Sequence, residues 1–297
     1  MAASQRTGAG IDLFEAERPR LRSLAYRMTG TADDADDVVQ DAWLRWQRAD
    51  HETIDNPAGW LTTVTTRLAI DRLTSARARR EVYVGPWLPE PWAPTEEAPD
   101  IGRSETLTLG FLCVLETLAP VERAVFLLHD VFGYPFAEVA ATVERSEPAT
   151  RQIAKRARDR VREGRPRLDP DPDDARRLAD AFLHAVLEGD LDVLTEMLTD
   201  DCLHLSDGGP EHRAARRPVV GATRVARLFA NLAARMDPTD ELHWVEVNGQ
   251  PAWYLLRGGR PFTLFVFSWR QNRIAEILAI VNPDKLRRFH QRWLAGT

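Results

Sequence analysis

The chain has little of several residue types, and each scarcity excludes a class of protein. Only two of its 297 residues are cysteines, Cys113 and Cys202, and they lie far apart in the sequence. A disulfide framework is therefore not expected, and no Cys/His cluster has the spacing of a metal site. No apolar run approaches the ~20 residues that cross a membrane, and the first residues lack the apolar core of a signal peptide. We expect a cytoplasmic protein with no cofactor, no metal site and no membrane partner.

One segment of the chain carries a charge opposite to that of the whole. The formal net charge is −6, with 44% hydrophobic and 28% charged residues, which is typical of a globular protein of two or three domains. Residues 145–167, by contrast, contain nine Arg/Lys and three Asp/Glu, a net charge of +6. This contrast indicates a nucleic-acid partner that binds at one segment of the chain.

The basic segment has the pattern of a helix-turn-helix. Residues 136–162, FAEVAATVERSEPATRQIAKRARDRVR, predict two short helices with a tight break at 144–147. Ser146 is a good N-cap, and Pro148 suits the first turn of the second helix. The outer face of that helix presents groups that bond phosphates and base edges. A solvated basic helix on an ordinary helical domain is the alternative interpretation.

Two breaks divide the rest of the chain into three folded parts. Residues 11–82 are predicted to be helical, and a proline-rich stretch without periodicity follows at 85–100. Residues 106–165 are helical again, and DPDPDD at 169–174 is a second breaker. The part after it is predicted to be α+β, with helices first and then a curved, mostly antiparallel sheet.

The predicted sheet has five strands. Their ranges are 202–206, 242–247, 252–256, 262–269 and 273–281. Gly258-Gly259 and Gln271-Asn272 are turn signals between neighbouring strands. Residues 262–269 are apolar on both faces, which predicts a central strand.

Several segments together resemble one family of bacterial proteins. Residues 22–46 and 56–73 resemble the second conserved region of a sigma factor, and residues 118–161 resemble the fourth. The lack of other regions is typical of extracytoplasmic-function sigma factors. Residues 182–201 and the strands are similar to SnoaL-like domains of the nuclear-transport-factor-like superfamily, which one sigma group carries as an extension. Three motifs mark that group here: WLPEP at 87–91, DGG at 207–209 and NPDKL at 282–286.

The resemblance implies a multi-domain fold and a function. It implies two all-α sigma domains, the second with the helix-turn-helix, followed by an α+β SnoaL-like cone. The expected ranges are a region-two-like domain at 11–82, a linker at 83–105, a region-four-like domain at 106–168 and a SnoaL-like domain at 175–297. Such a protein binds core RNA polymerase and directs promoter-specific initiation, with its activity modulated in cis by the last domain. The alternative is a small-molecule-sensing DNA-binding regulator, or a SnoaL-type enzyme fused to a helix-turn-helix.

The resemblance also assigns candidate site residues. The duplex upstream promoter element would be bound by Ser146, Thr150, Arg151, Gln152, Lys155, Arg156 and Arg158. The melted downstream element would be bound by Arg67, Asp71, Arg72, Arg77, Arg79 and Arg80. Polymerase would be bound by Asp36, Asp37, Gln40 and Asp41, which otherwise form a solvated acidic helix start. Contacts between the linker and the last domain would be made by Trp87, Leu88, Pro89, Glu90, Pro91, Asp207, Gly208, Gly209, Asn282, Pro283, Asp284 and Lys285.

Two points concern the last domain alone. After DGG the family usually continues with a glycine-lysine sequence, whereas this chain continues with Pro210-Glu211-His212-Arg213. His184, His204, Asp207 and His243 are available for acid–base chemistry of the SnoaL type, but no pair of clear geometry is evident. We therefore expect no catalysis there, and a pocket that could hold a small ligand.

Overall fold

The computed structural model describes two compact units. The described residues are 2–80, 83, 85–92, 108–164, 172–210 and 214–296. Of these, residues 2–80 and 114–164 form the helical unit, and all the others form the sheet unit. The described linker residues, 83 and 85–92, therefore belong to the same unit as the C-terminal part of the chain.

The helical unit begins with three long helices. They are α1 (Ala2–Thr29), α2 (Ala32–Arg48) and α3 (Pro57–Arg80), with a short 3-10 turn at His51–Thr53. The helical prediction from residue 11 is confirmed, although α1 begins at Ala2. Thr31 caps α2, because its hydroxyl accepts a bond from Asp34 N at 3.2 Å. Asn56 caps α3 in the same way, through Gly59 N at 3.0 Å.

The same unit continues with the predicted helix-turn-helix. Its elements are α4 (Leu109–Glu116), α5 (Pro120–Phe126), a π-helical turn (Leu127–Val131), α6 (Phe136–Thr142) and α7 (Glu147–Gly164). Only residues 114–116 of α4 belong to the helical unit. The break between α6 and α7 contains Glu144 at φ 54°, so the chain reverses at the predicted position. Ala140, Ala154 and Ala157 are buried, which allows the two helices to pack closely.

The sheet unit is an α+β fold with a six-stranded sheet. Its elements are α8 (Pro172–Glu188), α9 (Leu191–Met197), β1 (Leu198–Asp207), β2 (Val219–Val220), α10 (Ala222–Ala233), β3 (Asp240–Val247), β4 (Gln250–Arg257), β5 (Arg260–Arg270), β6 (Arg273–Ile280) and α11 (Pro283–Gly296). The strand order is β2-β1-β6-β5-β4-β3, with β1 and β6 parallel and the other neighbours antiparallel. The predicted fold class is confirmed. The predicted order of helices first and then a sheet is wrong, because α10 lies between strands and α11 follows the sheet.

Both faces of the sheet are covered, and β5 contributes to each. Phe267 packs with Phe182 of α8 and Phe229 of α10 on what we call the inner face. Leu264 and Val266 pack on the opposite, outer face. Because side chains alternate along a strand, a strand that is apolar on both sides needs cover on both faces of the sheet, and β5 has it. The prediction of a central strand is confirmed, since β5 lies between β6 and β4.

The outer face is covered by α11 and by the linker. Leu286 and Phe289 of α11 lie in the outer-face cluster, and Leu88 of the linker packs in the same cluster. All three side chains are buried. The linker is thus part of the hydrophobic core of the sheet unit.

Candidate nucleic-acid interface and linker anchor

The outer face of α7 carries most of the predicted upstream-element residues. Arg151, Gln152, Lys155 and Arg156 are all exposed. Arg151 forms an ion pair with Glu147 one turn away, and its guanidinium lies 4.5 Å from the centre of the Phe136 ring. Exposed pairs of this kind contribute about 0–1 kcal/mol, so phosphate or a base edge can replace the glutamate at little cost.

Two predicted upstream-element residues have other surroundings. Thr150 is fully buried and donates its hydroxyl to Ser146 O at 3.0 Å. The prediction that Thr150 lies on the outer face is therefore wrong, because the helix turns this position toward the core. Arg158 is half-buried and donates to Asp130 at 2.7 Å. Ser146 accepts a bond from Ala149 N at 3.4 Å, as an N-cap does.

Arg67, predicted to bind the downstream element, contacts the end of α6 instead of lying free. It donates to Thr142 O and Ala141 O at 3.0 Å each and pairs with Glu144 at 3.1 Å. The last carbonyls of a helix lack intrahelical partners and carry the negative end of the helix dipole. A guanidinium is well suited to bind them. Arg67 is thus occupied within the helical unit.

Further hydrogen bonds hold α3 against the helix-turn-helix. Tyr134 Oη bonds Thr62 Oγ1 at 3.0 Å and accepts a bond from Arg20 at 2.7 Å. Thr63 and Thr142 bond each other through their hydroxyls at 3.1 Å. Together with the Arg67 bonds, we call this set the α3–α6 contact. It joins the two segments that the resemblance assigns to separate sigma regions.

The other predicted downstream-element residues lie along α3. Arg72 is held between two carboxylates of α2, Asp34 at 2.6 Å and Asp37. Hydrogen bonds from Arg72 to these carboxylates raise the pKa of its guanidinium, which therefore remains protonated. Asp71 is exposed. The side chains of Arg77, Arg79 and Arg80 lie outside the described part of the chain.

The acidic residues of α2 form a partly paired surface. Asp36 accepts a bond from Arg22 at 2.5 Å, and Asp37 pairs with Arg72. Gln40 and Asp41 are exposed one turn further along the helix. This face of α2 is therefore acidic and open to solvent at its C-terminal side.

In the sheet unit, one carboxylate binds the linker. Asp207, at the end of β1, is fully buried and accepts bonds from Leu88 N at 2.9 Å, from Gly209 N at 3.1 Å and from the Tyr83 hydroxyl. It also forms a 2.6 Å ion pair with Lys285. We call this arrangement the linker anchor. A buried carboxylate with this many donors is fully satisfied, so it fixes the backbone of the linker.

Lys285 binds the other side of the same linker residue. Its ammonium donates to Leu88 O and lies 4.0 Å from the centre of the Trp87 ring. Burial raises the pKa of the Tyr83 hydroxyl, and its hydrogen bond to Asp207 raises that pKa further, so the phenol remains a proton donor. Both backbone groups of Leu88 are therefore held by an ion pair of the C-terminal residues.

The other motif residues support this anchor. Asn282 caps α11 through Asp284 N at 3.0 Å and donates to the Tyr83 hydroxyl at 3.0 Å. Gly209 has φ 67°, and a Cβ added there would lie 2.9 Å from the Asn282 side chain, so only glycine fits. Pro283 is the first residue of α11, and Gly208 is buried.

The linker has two further attachments. Trp92 N donates to the side-chain Oδ1 of Asn248, and Trp92 O accepts a bond from Asn248 N, each at 2.9 Å. Glu90 lies 3.9 Å from Arg288 of α11. Pro89, Glu90 and Pro91 are all buried. The structure therefore brings the predicted linker and C-terminal residues together. Residues 211–213, where the sequence departs from the family pattern, lie outside the described residues.

Comparisons with known proteins identify the family. The family models for Sigma-70 region 2 and Sigma-70, region 4 match residues 13–79 and 109–161. The ECF RNA polymerase sigma factor SigJ of Mycobacterium tuberculosis is 38% identical over 93% of this chain and 92% of its own length. This chain belongs to the ECF sigma-factor family. The ECF sigma factor SigG of the same species is 28% identical over 97% of this chain and 85% of its own.

A solved structure agrees with this assignment. The crystal structure of the extracytoplasmic function sigma factor SigJ from M. tuberculosis matches with a TM-score of 0.75 and 35% identity, over 93% of this chain and 98% of that one. The match includes the C-terminal sheet unit, so the unit is part of a sigma-factor architecture. This does not favour the alternative of an enzyme or a sensor fused to a helix-turn-helix.

The three candidate histidines of this ECF sigma factor have different environments. His184 is exposed, His243 is half-buried and His204 is buried. Burial lowers the pKa of His204 to about 4, so its ring is neutral at physiological pH. Asp207, the fourth candidate, is committed to the linker anchor. In the described part of the chain, no cluster of three or more His, Cys, Asp or Glu could hold a metal ion, and no described helix is long and apolar enough to cross a membrane.

Proposed function

We propose that this ECF sigma factor is regulated in cis by its sheet unit through the linker anchor. As a member of its family, the chain binds core RNA polymerase and directs promoter-specific transcription initiation. The observation that carries the regulatory proposal is the buried Asp207–Lys285 pair, which holds the backbone of Leu88. Leu88 lies between the two sigma regions in the sequence. Docking of the linker on the sheet unit therefore restricts the movement of the two sigma regions, and release of the linker removes that restriction.

In this proposal α7 reads the upstream element as duplex DNA. Arg151, Gln152 and Lys155 are exposed near the start of the helix, where the residues of a recognition helix reach base edges in the major groove. Arg156 and Arg158 lie further along and bind phosphates. Ser146 fixes the helix start. Thr150 supports the packing of α7 and makes no DNA contact.

The downstream element, in this proposal, binds along α3. Arg67, Asp71 and Arg72 belong to the described part of this surface, and Arg77, Arg79 and Arg80 follow them in the sequence. A melted strand needs cations along its backbone, and Arg67 supplies one only after it leaves the carbonyls of α6. We infer that the α3–α6 contact is a closed state that opens when polymerase and promoter bind.

Polymerase would bind the acidic face of α2. Asp36, Asp37, Gln40 and Asp41 lie on its polar side, and carboxylates at the rim of an interface steer association with a basic partner. The expected cellular location of the protein is the cytoplasm, where core polymerase is found. The expected domain limits are 11–82, 106–168 and 175–297, with the linker functioning as part of the last domain.

Run-off transcription with three forms of the protein tests the regulation. Deletion of residues 287–297 removes Phe289 and Trp293 from the outer face and Arg288 from Glu90. This deletion should loosen the docked linker and raise transcription. Deletion from residue 169 onward removes the whole anchor and should lower transcription, because ordering two promoter-binding regions then costs more entropy. Equal activity of all three forms at matched concentration would refute regulation in cis.

A further inference from the structure

The sheet unit carries a second segment whose charge is opposite to that of the whole chain. Residues 213–236 contain six arginines and no aspartate or glutamate, a net charge of +6 in a chain of net charge −6. Residues 145–167, which include most of α7, have the same net charge. The described arginines of the second segment are all exposed, and we call them the α10 basic surface: Arg216, Arg217, Arg224, Arg227 and Arg235.

Helix α10 holds two of these arginines on one side. Val225 and Phe229 are buried in the core of the sheet unit, which fixes the rotation of the helix. Arg224 and Arg227 lie three residues apart on the opposite side, and the exposed Asn231 follows one turn later. A helix of 12 residues is about 18 Å long, which is close to the rise of five base pairs of duplex DNA. The charged side of α10 can therefore face several successive phosphates.

Neighbouring carboxylates do not neutralise this surface. Among the residues that the structure describes, none of the five arginines has an ion-pair partner. Elsewhere in the sheet unit arginines do pair with aspartates, as Arg257 does with Asp240 and Arg270 does with Asp201. Like charges three residues apart on a helix repel each other, so the arrangement opposes folding. A bound polyanion would remove that repulsion.

The position of the surface beside the linker favours DNA as this polyanion. A Cβ added to Gly85 would lie 3.4 Å from Arg216 Cα, so the linker passes one end of the surface. In the sequence the linker joins the two sigma regions of a promoter-binding protein. Duplex DNA carries one negative charge per about 1.7 Å of its axis, and guanidinium groups bind phosphate through paired N–H donors.

We propose that the α10 basic surface binds the phosphates of duplex DNA and gives this sigma factor a sequence-independent contact outside its sigma regions. Phosphate contacts hold a protein on the duplex without reading its sequence. The proposal rests on the promoter binding of the family and is separate from the proposed regulation in cis.

The test uses the full chain and a fluorescent duplex of arbitrary sequence, about 30 base pairs long, because phosphate contacts are sequence-independent. Arg151→Gln, Lys155→Gln and Arg156→Gln are first combined to neutralise exposed cations of α7, and we call this form the α7-neutral chain. Fluorescence anisotropy measures its affinity for the duplex over a range of salt concentrations. We expect it still to bind, with an affinity that falls steeply as salt is added.

Arg224→Gln and Arg227→Gln are then added to the α7-neutral chain, singly and together. Each lost phosphate contact should lower the slope of log affinity against log salt by about 0.9. If the affinity at 1 M salt is unchanged, the affinity at 0.1 M salt falls about eightfold for each substitution and about 60-fold for both. The matched control is Arg287→Gln, the same change at an exposed arginine of α11, which covers the opposite face of the sheet. It should alter neither the slope nor the affinity.

The outcomes separate this proposal from its alternatives. A lower slope for the α10 variants but not for Arg287→Gln supports the DNA contact, and circular dichroism verifies that each variant is folded. No salt-dependent binding by the α7-neutral chain, or equal slopes for all variants, would overturn it. Unchanged duplex binding together with weaker binding of core polymerase would also overturn it, and would assign the surface to an acidic face of polymerase. The duplex assay contains no polymerase, so its outcome leaves the proposed regulation untouched.

Discussion

The linker anchor makes a quantitative prediction for Asp207→Asn. The substitution keeps the size of the side chain and one oxygen acceptor for Leu88 N, but it removes the negative charge beside Lys285. The Asp207 side chain is fully buried and the Lys285 side chain is 10% exposed, so water cannot replace the lost partner. We expect the linker to leave the sheet unit far more often in this variant than in the wild type.

The magnitude follows from the burial of the pair. Removal of one partner from a buried ion pair costs about 3–5 kcal/mol, because the other charge is left uncompensated. Asparagine still accepts one hydrogen bond, which places the expected cost near the lower limit, at about 3 kcal/mol. A cost of this size raises the undocked population of the linker about 100-fold.

Limited proteolysis measures this population directly. Chymotrypsin can cut after Trp87 and Trp92 only when the linker is undocked, and the rate of cutting follows the open population when redocking is fast. The matched control is Asp200→Asn, the same chemical change on the same strand at a side chain that is 95% exposed. Cutting of Asp207→Asn within threefold of the wild-type and Asp200→Asn rates would refute the anchor.

Three further predictions concern the other sites. Arg151→Ala should weaken binding of the upstream element by about 1–3 kcal/mol and relax the sequence preference of that binding. Arg158→Ala should weaken binding to all sequences evenly and lower its salt dependence. Equal losses of affinity on cognate and scrambled DNA for Arg151→Ala would show that Arg151 does not read bases. Tyr134→Phe removes the hydroxyl that bonds Thr62 and Arg20, and it should raise the rate of run-off transcription by up to about tenfold. An unchanged or lower rate would mean that the α3–α6 contact does not oppose transcription. The pKa of His204 in the folded sheet unit is about 4, below the ordinary value of 6.5, so protonation of its ring favours the unfolded state. About 3 kcal/mol of folding stability should therefore be present above pH 6.5 and lost as the pH falls toward 4. Denaturant titrations across this range should show a smaller pH dependence for His204→Leu than for the wild type.

Local signals in the sequence predicted much of the fold. Thr31 before a run of aspartates and Asn56 before a proline are local signals of a helix start, and both side chains do make capping bonds. Gly258 and Gly259 mark a turn that needs positive φ at two successive residues, and both have it. These signals depend on a few neighbouring residues, so no tertiary information is needed to read them.

The features that sequence reasoning missed depend on distant contacts. Thr150 falls within a polar run of α7, but the packing of α7 turns its side chain inward. Strand β2 contains only two residues, Val219 and Val220, and a strand of this length has no period to detect. Among the histidines, only tertiary burial distinguishes His204 from His184. A cavity of the sheet unit that His204 lines is formed by strands and helices far apart in sequence.

The linker anchor also imposes an order of events during synthesis of the chain. Leu88 is bound by Lys285, a residue 197 positions later. At about 5–20 residues per second, a ribosome needs roughly 10–40 s to add the residues between them. From the completion of the second sigma region until Lys285 is added, the nascent protein has both sigma regions but no anchored linker, as in the form truncated at residue 169. Each newly made molecule therefore passes through an unregulated stage before its last helix emerges, and any polymerase nearby encounters that stage first.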